Sequence, residues 1–168
     1  MLRRSWCVVL MALPACGGGG GGGVVVPVAT LAKLAADNVE IGPAAATADV
    51  LVRLASAPTL GPCLLEVKIE LPPQLTLPPN DRLLGAVPLP MLDGDFVEDR
   101  FVVVCGDASN PNAAPLAIGP LFRLRIAPTS PRQPGTWRVH LHELRGATRD
   151  GVAVPVEASP TVVDVIVR

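Results

Sequence analysis

Leu65-Glu66-Val67-Lys68-Ile69-Glu70-Leu71-Pro72-Pro73 is the stretch on which the fold turns. Leu65, Val67, Ile69 and Leu71 alternate with Glu66, Lys68 and Glu70, and a period of two sends successive side chains to opposite faces of an extended strand. One face is apolar and the other charged, so the strand buries one side and shows the other to water. The two prolines end it, because proline offers no donor to a ladder. The pattern recurs outward along the chain. Phe122, Leu124 and Ile126 alternate with Arg123 and Arg125, and Trp137, Val139 and Leu141 alternate with Arg138, His140 and His142. Further strands are predicted at Val39–Ile41, Ala48–Ala55, Phe101–Cys105 and Thr161–Val167. Breakers separate them at Gly42-Pro43, Ala57-Pro58, Pro78-Pro79, Asp93-Gly94, Asn110-Pro111, Pro134-Gly135 and Asp150-Gly151. The spacing predicts one all-β sandwich of about 8–9 strands over residues 38–168. Thr30–Ala36 reads as a helical turn belonging to the segment that precedes it.

Composition narrows the class. Of 168 residues 49% are hydrophobic and 17% charged, yet aromatics are only 3%, Tyr is absent, and there are 19 Pro and 16 Gly. Long helices are not built from that mixture. No apolar run reaches the roughly 18 to 20 residues of a spanning helix, which excludes a polytopic helical membrane protein. A formal charge of −1 excludes the basic signature of a nucleic-acid binder.

The amino terminus carries an address. Arg3 and Arg4 precede a short apolar core, Cys7 to Leu13, and then Pro14-Ala15-Cys16-Gly17. A positive start, a short hydrophobic core and small residues before a cleavage point make residues 1–15 a secretion signal. Leu13-Pro14-Ala15-Cys16 resembles the bacterial lipobox. The resemblance implies cleavage before Cys16, lipidation of its thiol and an acylated new amino terminus, with the membrane as the first partner. Several acyl chains hold where one is marginal, each buried methylene contributing about 0.8 kcal/mol. The alternative is an ordinary signal peptide. Gly17–Gly23 reads as part of a tether over residues 16–37, the seven glycines reaching about 15 Å. Losing residues 1–15 removes two bases and no acid, so 12 basic residues face 15 acidic ones and the charge becomes −3. The expected location is the cell envelope, at the outer membrane or cell surface rather than the inner membrane, since Gly17 is not acidic.

Cys63 and Cys105 remain as a pair in an exported chain, where oxidising conditions allow a disulfide. Cys63 shares the parity of Leu65 and Val67, and Cys105 that of Phe101 and Val103. Both sulfurs point inward, and they can meet if the two strands are neighbours. Such a bridge closes some forty residues and stabilises by about 4 kcal/mol. The alternative is two buried free thiols packed as small hydrophobes.

A family resemblance covers residues 38–168. Leu65 to Leu77 is similar to the cohesin strand that runs into a Leu-rich segment. Gly119-Pro120-Leu121-Phe122-Arg123-Leu124-Arg125-Ile126, followed by Gly135-Thr136, resembles a later cohesin strand and the Gly-Thr after it. The resemblance implies a jelly-roll/Greek-key sandwich that binds dockerin modules through one sheet face. It also implies that the strands carrying Cys63 and Cys105 are adjacent.

Catalytic motifs are missing. There is no Gly-x-Ser-x-Gly elbow, phosphate-cradling loop, His-Glu-x-x-His or Cys-x-x-Cys. The expectation is a non-enzyme whose one covalent group is the lipid on Cys16. His140 and His142 lie two apart on one strand face beside Arg138, with no third histidine, and read as a solvated face rather than a metal site. Asp93, Asp95 and Asp99, with Glu98, are the oxygen ligands calcium prefers, but they lack the spacing of an EF-hand. They read as a turn with solvated carboxylates, weak calcium being the alternative. A protein-binding face is easier to build. Val102 and Val104 point outward beside Glu66, Lys68 and Glu70, and with Arg138 and His140 they give an apolar centre in a mixed-charge rim. The alternative has the Pro-rich segment 72–92 covering the two valines. A glycan site is disfavoured, because by parity Phe101, Phe122 and Trp137 face the core and leave Phe96 alone. A structural subunit of an envelope assembly is the other open reading.

Overall fold

The computed structural model describes residues 31–107, 110 and 112–168; the expected signal, Cys16 and the glycine run lie outside them. Thirteen strands follow in chain order: β1 Ala32–Ala36, β2 Val39–Ile41, β3 Ala48–Ser56, β4 Leu64–Glu70, β5 Leu75–Thr76, β6 Leu83–Gly85, β7 Met91–Val97, β8 Arg100–Gly106, β9 Gly119–Pro128, β10 Gly135–Ala147, β11 Ala153–Val154, β12 Val156–Ala158 and β13 Val162–Val167. Eight have five residues or more, and the alternation predicts six of them, β3, β4, β8, β9, β10 and β13, together with the short β2. The other five are pieces of two or three residues; of these β2 is predicted, and hydrophobic periodicity is too coarse to register the remaining four.

Two sheets form the sandwich. One runs β12-β1-β3-β9-β5, with β6 also on β9, and the other runs β2-β13-β10-β4-β8-β7, with β11 also on β10. Neighbours are antiparallel except β1 with β12 and β2 with β13. Between the sheets lies an aliphatic core with Phe101 and Phe122 as its largest fully buried side chains. Leu65, Val67 and Ile69 of β4 are all at 0% exposure, so each contributes roughly 1.5–3 kcal/mol by leaving water. Among the described residues no polar or charged side chain is fully buried.

Three sequence expectations are corrected. Ala32–Ala36 is a strand of the core and not a helical turn of the tether, so the sandwich begins at Ala32 and not at residue 38. Helix propensity in an Ala/Leu stretch is a weak prior. Here it loses to two ladders, one to β3 and one to β12, that bury Ala32, Leu34 and Ala36.

Asp93-Gly94-Asp95 lies inside β7 rather than in a turn; the reversal falls at Glu98-Asp99, between Val97 and its partner Arg100. Gly94 is there for space. A Cβ on it would stand 2.7 Å from Cζ of Phe101 and 2.9 Å from Leu83, so the glycine marks a close approach and not a break.

The disulfide is the third. β4 and β8 are neighbours, as expected, but Cys63 and Cys105 are both free. Cys105 pairs with Leu65, two residues past Cys63, and its thiol is packed in the core, where burial pushes its pKa up to about 12. Cys63 sits one residue before β4, and its Sγ donates instead to the carbonyl of Ala113 at 3.6 Å.

The two ends of the sandwich differ. At one end the chain enters β1, where the Ala32 N–H donates to Pro155 O, and Lys33 stands opposite Ser56 at the close of β3. At the other end β13 finishes, with Val167 opposite Gly135 at the start of β10. That far end is pinned by Arg132, whose guanidinium donates to the carbonyls of Ile41 (2.8 Å), Gly42 (2.7 Å) and Ala45 (2.9 Å).

Candidate interaction face

The outer surface of the seven-stranded sheet gathers every residue of the predicted partner face. Register fixes the rows. Asp93, Val104, Glu66 and Arg145 lie across β7, β8, β4 and β10; Asp95, Val102, Lys68 and His142 form the next row. Beyond them Glu70 pairs with His140, and Arg138 with Asp164 of β13. Val102 and Val104 are half-buried among these charged neighbours, opposite the fully buried Phe101, Val103 and Cys105. The segment 72–92 does not lie over them: its strands β5 and β6 pair with β9 in the other sheet.

Charge on this face is organised around Glu143, a residue outside the predicted set. Its carboxylate accepts from Lys68 Nζ and from Arg100 Nη1, the latter at 2.6 Å, and Arg145 approaches to 4.0 Å. Lys68, hydrogen-bonded to it, and Arg100 beyond hold the Glu143 carboxyl below the usual carboxylate range. Glu143 reaches that position through a β-bulge. Between the pairs His142↔Lys68 and Arg145↔Glu66, β10 has two residues where β4 has one, and Glu143 takes φ +41°. The extra residue turns Glu143 out and lets Leu144 pack against the core. The signal was in the sequence, since Leu141 and Leu144 lie three apart in a strand of period two.

The histidines stack, with ring centroids 5.6 Å apart and planes 11° off parallel. His142 Nε2 lies 2.9 Å from Glu70 Oε2 but out of line for a hydrogen bond. With Leu141, Leu144, Val156 and Thr161 they border an open notch of about 610 Å³ where β10 has no partner between β13 and β11.

The acidic residues fall on two elements. Asp93 and Asp95 face outward from the edge strand β7, and Asp99 is in the turn after it. Asp93 accepts from the Gly94 N–H and Asp95 from the Phe96 N–H and from Arg82. Among the described residues no three His, Cys, Asp or Glu side chains converge as metal ligands would. Phe96, at 46% exposure, is the one exposed aromatic ring among the described residues, while Trp137 is partly buried against the core.

No family model matches the chain, and no curated protein matches it in sequence. Solved structures do. A non-cellulosomal cohesin from the hyperthermophilic archaeon Archaeoglobus fulgidus is similar over 83% of this chain and 92% of its own, with a TM-score of 0.63 and 16% identity. The fold is a cohesin fold. The sixth cohesin of Acetivibrio cellulolyticus scaffoldin B, solved with a dockerin, is covered over its whole length at a TM-score of 0.67, again 83% of this chain and 16% identity. A type I cohesin–dockerin complex from Clostridium thermocellum gives the same TM-score at 14% identity, over 83% of this chain and 100% of that cohesin. At these identities the shared property of the cohesin-like domain is its backbone, and its side chains must be read on their own.

Proposed function

We propose that this chain is a lipid-anchored envelope protein whose cohesin-like sandwich recognises another protein, without catalysis. The observation that carries the reading is the outer face of the seven-stranded sheet. There Val102 and Val104 form a small aliphatic centre flanked by Glu66, Lys68, Glu70, His140 and Arg138. An apolar centre with a charged rim is how protein-recognition surfaces are composed, and the rim sets which partner is accepted. The cohesins from Acetivibrio cellulolyticus and Clostridium thermocellum are solved in complex with dockerins, which makes a dockerin-type module the first partner to test.

In this reading Cys16 carries the lipid, residues 17–31 join it to the domain, and the location is the outer membrane or cell surface. The experiment is a titration of dockerin modules against the chain and against a Val102→Asp/Val104→Asp version. Two charges in the apolar centre should weaken binding at least about tenfold. Equal affinity for the two versions overturns the assignment of the face. A Cys16→Ala chain that stays in the membrane fraction overturns the anchor.

A further inference from the structure

The end of the sandwich where the chain enters β1 is unusually apolar. Six large hydrophobic side chains are exposed among the described residues, and four of them, Leu60, Val87, Ile118 and Val152, are on loops at this end. Leu60, Ile118 and Val152 stand out furthest, at 78%, 64% and 63% exposure. Single exposed aliphatics are ordinary, but a cluster on adjoining loops marks a contact surface. Leu60 and Val152 border one apolar cleft of about 270 Å³. Val87 and Ile118 border a second of about 430 Å³, and Cys63, Ala113 and Pro115 line both. The two clefts are therefore one continuous surface.

We infer that this end rests against a lipid surface, with Leu60, Ile118 and Val152 entering the interface between headgroups and acyl chains. The inference rests on the lipid anchor at Cys16 proposed above and adds which part of the domain faces the membrane. The first support is where the outside chain joins. Fifteen residues separate Cys16 from Ala32, a span of at most about 55 Å fully extended, and they attach at this end. The far end, where β13 finishes, lies the length of β10 away, roughly 40 Å for its 13 residues. Charge is the second support. Arg149 and Asp150, beside Leu60 and Val152, pair with each other at 3.7 Å, and Asp107 in the second cleft accepts from the Asn110 N–H at 3.2 Å, so the tip presents aliphatic side chains with one ion pair, one carboxylate and no excess of positive charge. Such a surface suits shallow insertion driven by apolar area rather than attraction to anionic headgroups. The orientation also leaves the outer face of the seven-stranded sheet, whose strands run between the two ends, free for a protein partner.

The test uses the full chain, produced with its signal in a bacterial host and reconstituted in phosphatidylcholine vesicles with or without brominated acyl chains. All versions carry Trp6→Phe, so that Trp137, close to the far end, is the native reporter. A second version adds Leu60→Trp, a change tolerated at 78% exposure. The expected result is roughly twofold quenching of the added tryptophan by brominated lipid, its indole lying about 5–10 Å into the interface, while Trp137 is unchanged. Chain that floats with the vesicles but shows no extra quenching from Leu60→Trp overturns this inference and leaves the anchor standing. Chain that does not float overturns both. A blue-shifted but unquenched Leu60→Trp emission assigns the surface to protein, a second copy or another chain, and also overturns it.

Discussion

Glu143 and Arg100 are 43 residues apart in sequence and joined by a 2.6 Å hydrogen bond across the outer face of β4. The bond exists because β10 bulges: the extra residue at φ +41° puts the Glu143 carboxylate where Lys68 and Arg100 both reach it. This places one acid at the centre of a basic cluster beside Val102 and Val104.

The pH dependence of stability follows from that cluster. Lys68 and Arg100 lower the Glu143 pKa in the folded state below its ordinary value of 4.5. A lowered folded pKa means the unfolded chain binds the proton more readily. The stabilisation is therefore complete above about pH 4.5 and is lost as pH falls through the lower folded value. Melting temperature measured from pH 7 to pH 2.5 should show a shallower acid limb in Glu143→Gln than in the parent. Superimposable limbs would mean that the pairing contributes nothing.

Gly94 and Gly42 make a matched pair. Alanine at 94 places a methyl 2.7 Å from the Phe101 ring, whereas alanine at 42 meets nothing within 4 Å. Overpacking of this kind costs about 1–3 kcal/mol. Urea unfolding should show that loss for Gly94→Ala, with Gly42→Ala within about 0.5 kcal/mol of the parent.

The buried thiols predict a labelling pattern. Cys105, with its pKa at about 12, and Cys63, held to Ala113 O, should resist iodoacetamide in the folded protein at pH 8. Both should be alkylated on unfolding without reductant, read by mass spectrometry of the peptides that contain them. A requirement for reductant would show that the two are bridged.

Arg132 closes the far end by donating to four backbone carbonyls of the 41–45 segment, those of Ile41, Gly42, Pro43 and Ala45. Arg132→Ala leaves those acceptors short of a charged donor, at a cost of about 1.5–3 kcal/mol. Lysine cannot reproduce the planar fork and should restore only part. Hydrogen exchange at residues 41–45 should rise in both variants, and more in the alanine one.

Legibility in the sequence tracked physical range. The strands with clean alternation, β3, β4, β8, β9 and β13, were readable because each carries its own buried face as a period of two. β7 was misread because Gly94 looks like a turn residue until the Phe101 ring that displaces its side chain is in view. β1 was misread because Ala-Lys-Leu-Ala-Ala has no strand signal of its own; its ladders come from β3 and β12. All seven residues in the predicted face share the adjoining strands β4, β8 and β10 because parity fixes which side they occupy. Glu143, Arg100 and Asp95 could not be placed by parity alone: a bulge, a hairpin end and a strand that its own Gly94 disguises as a turn decide them.

By itself the sequence determined the all-β class, the inward and outward sets of most long strands and a proline-punctuated order, all consequences of local geometry and burial. Tertiary structure alone decided which strands are neighbours, that Cys63 turns to Ala113 while Cys105 enters the core, and that one bulge gathers Lys68, Arg100 and Arg145 around Glu143. The reason is that register is a long-range property: a shift of one residue exchanges the faces, and only the packed partner strand fixes it.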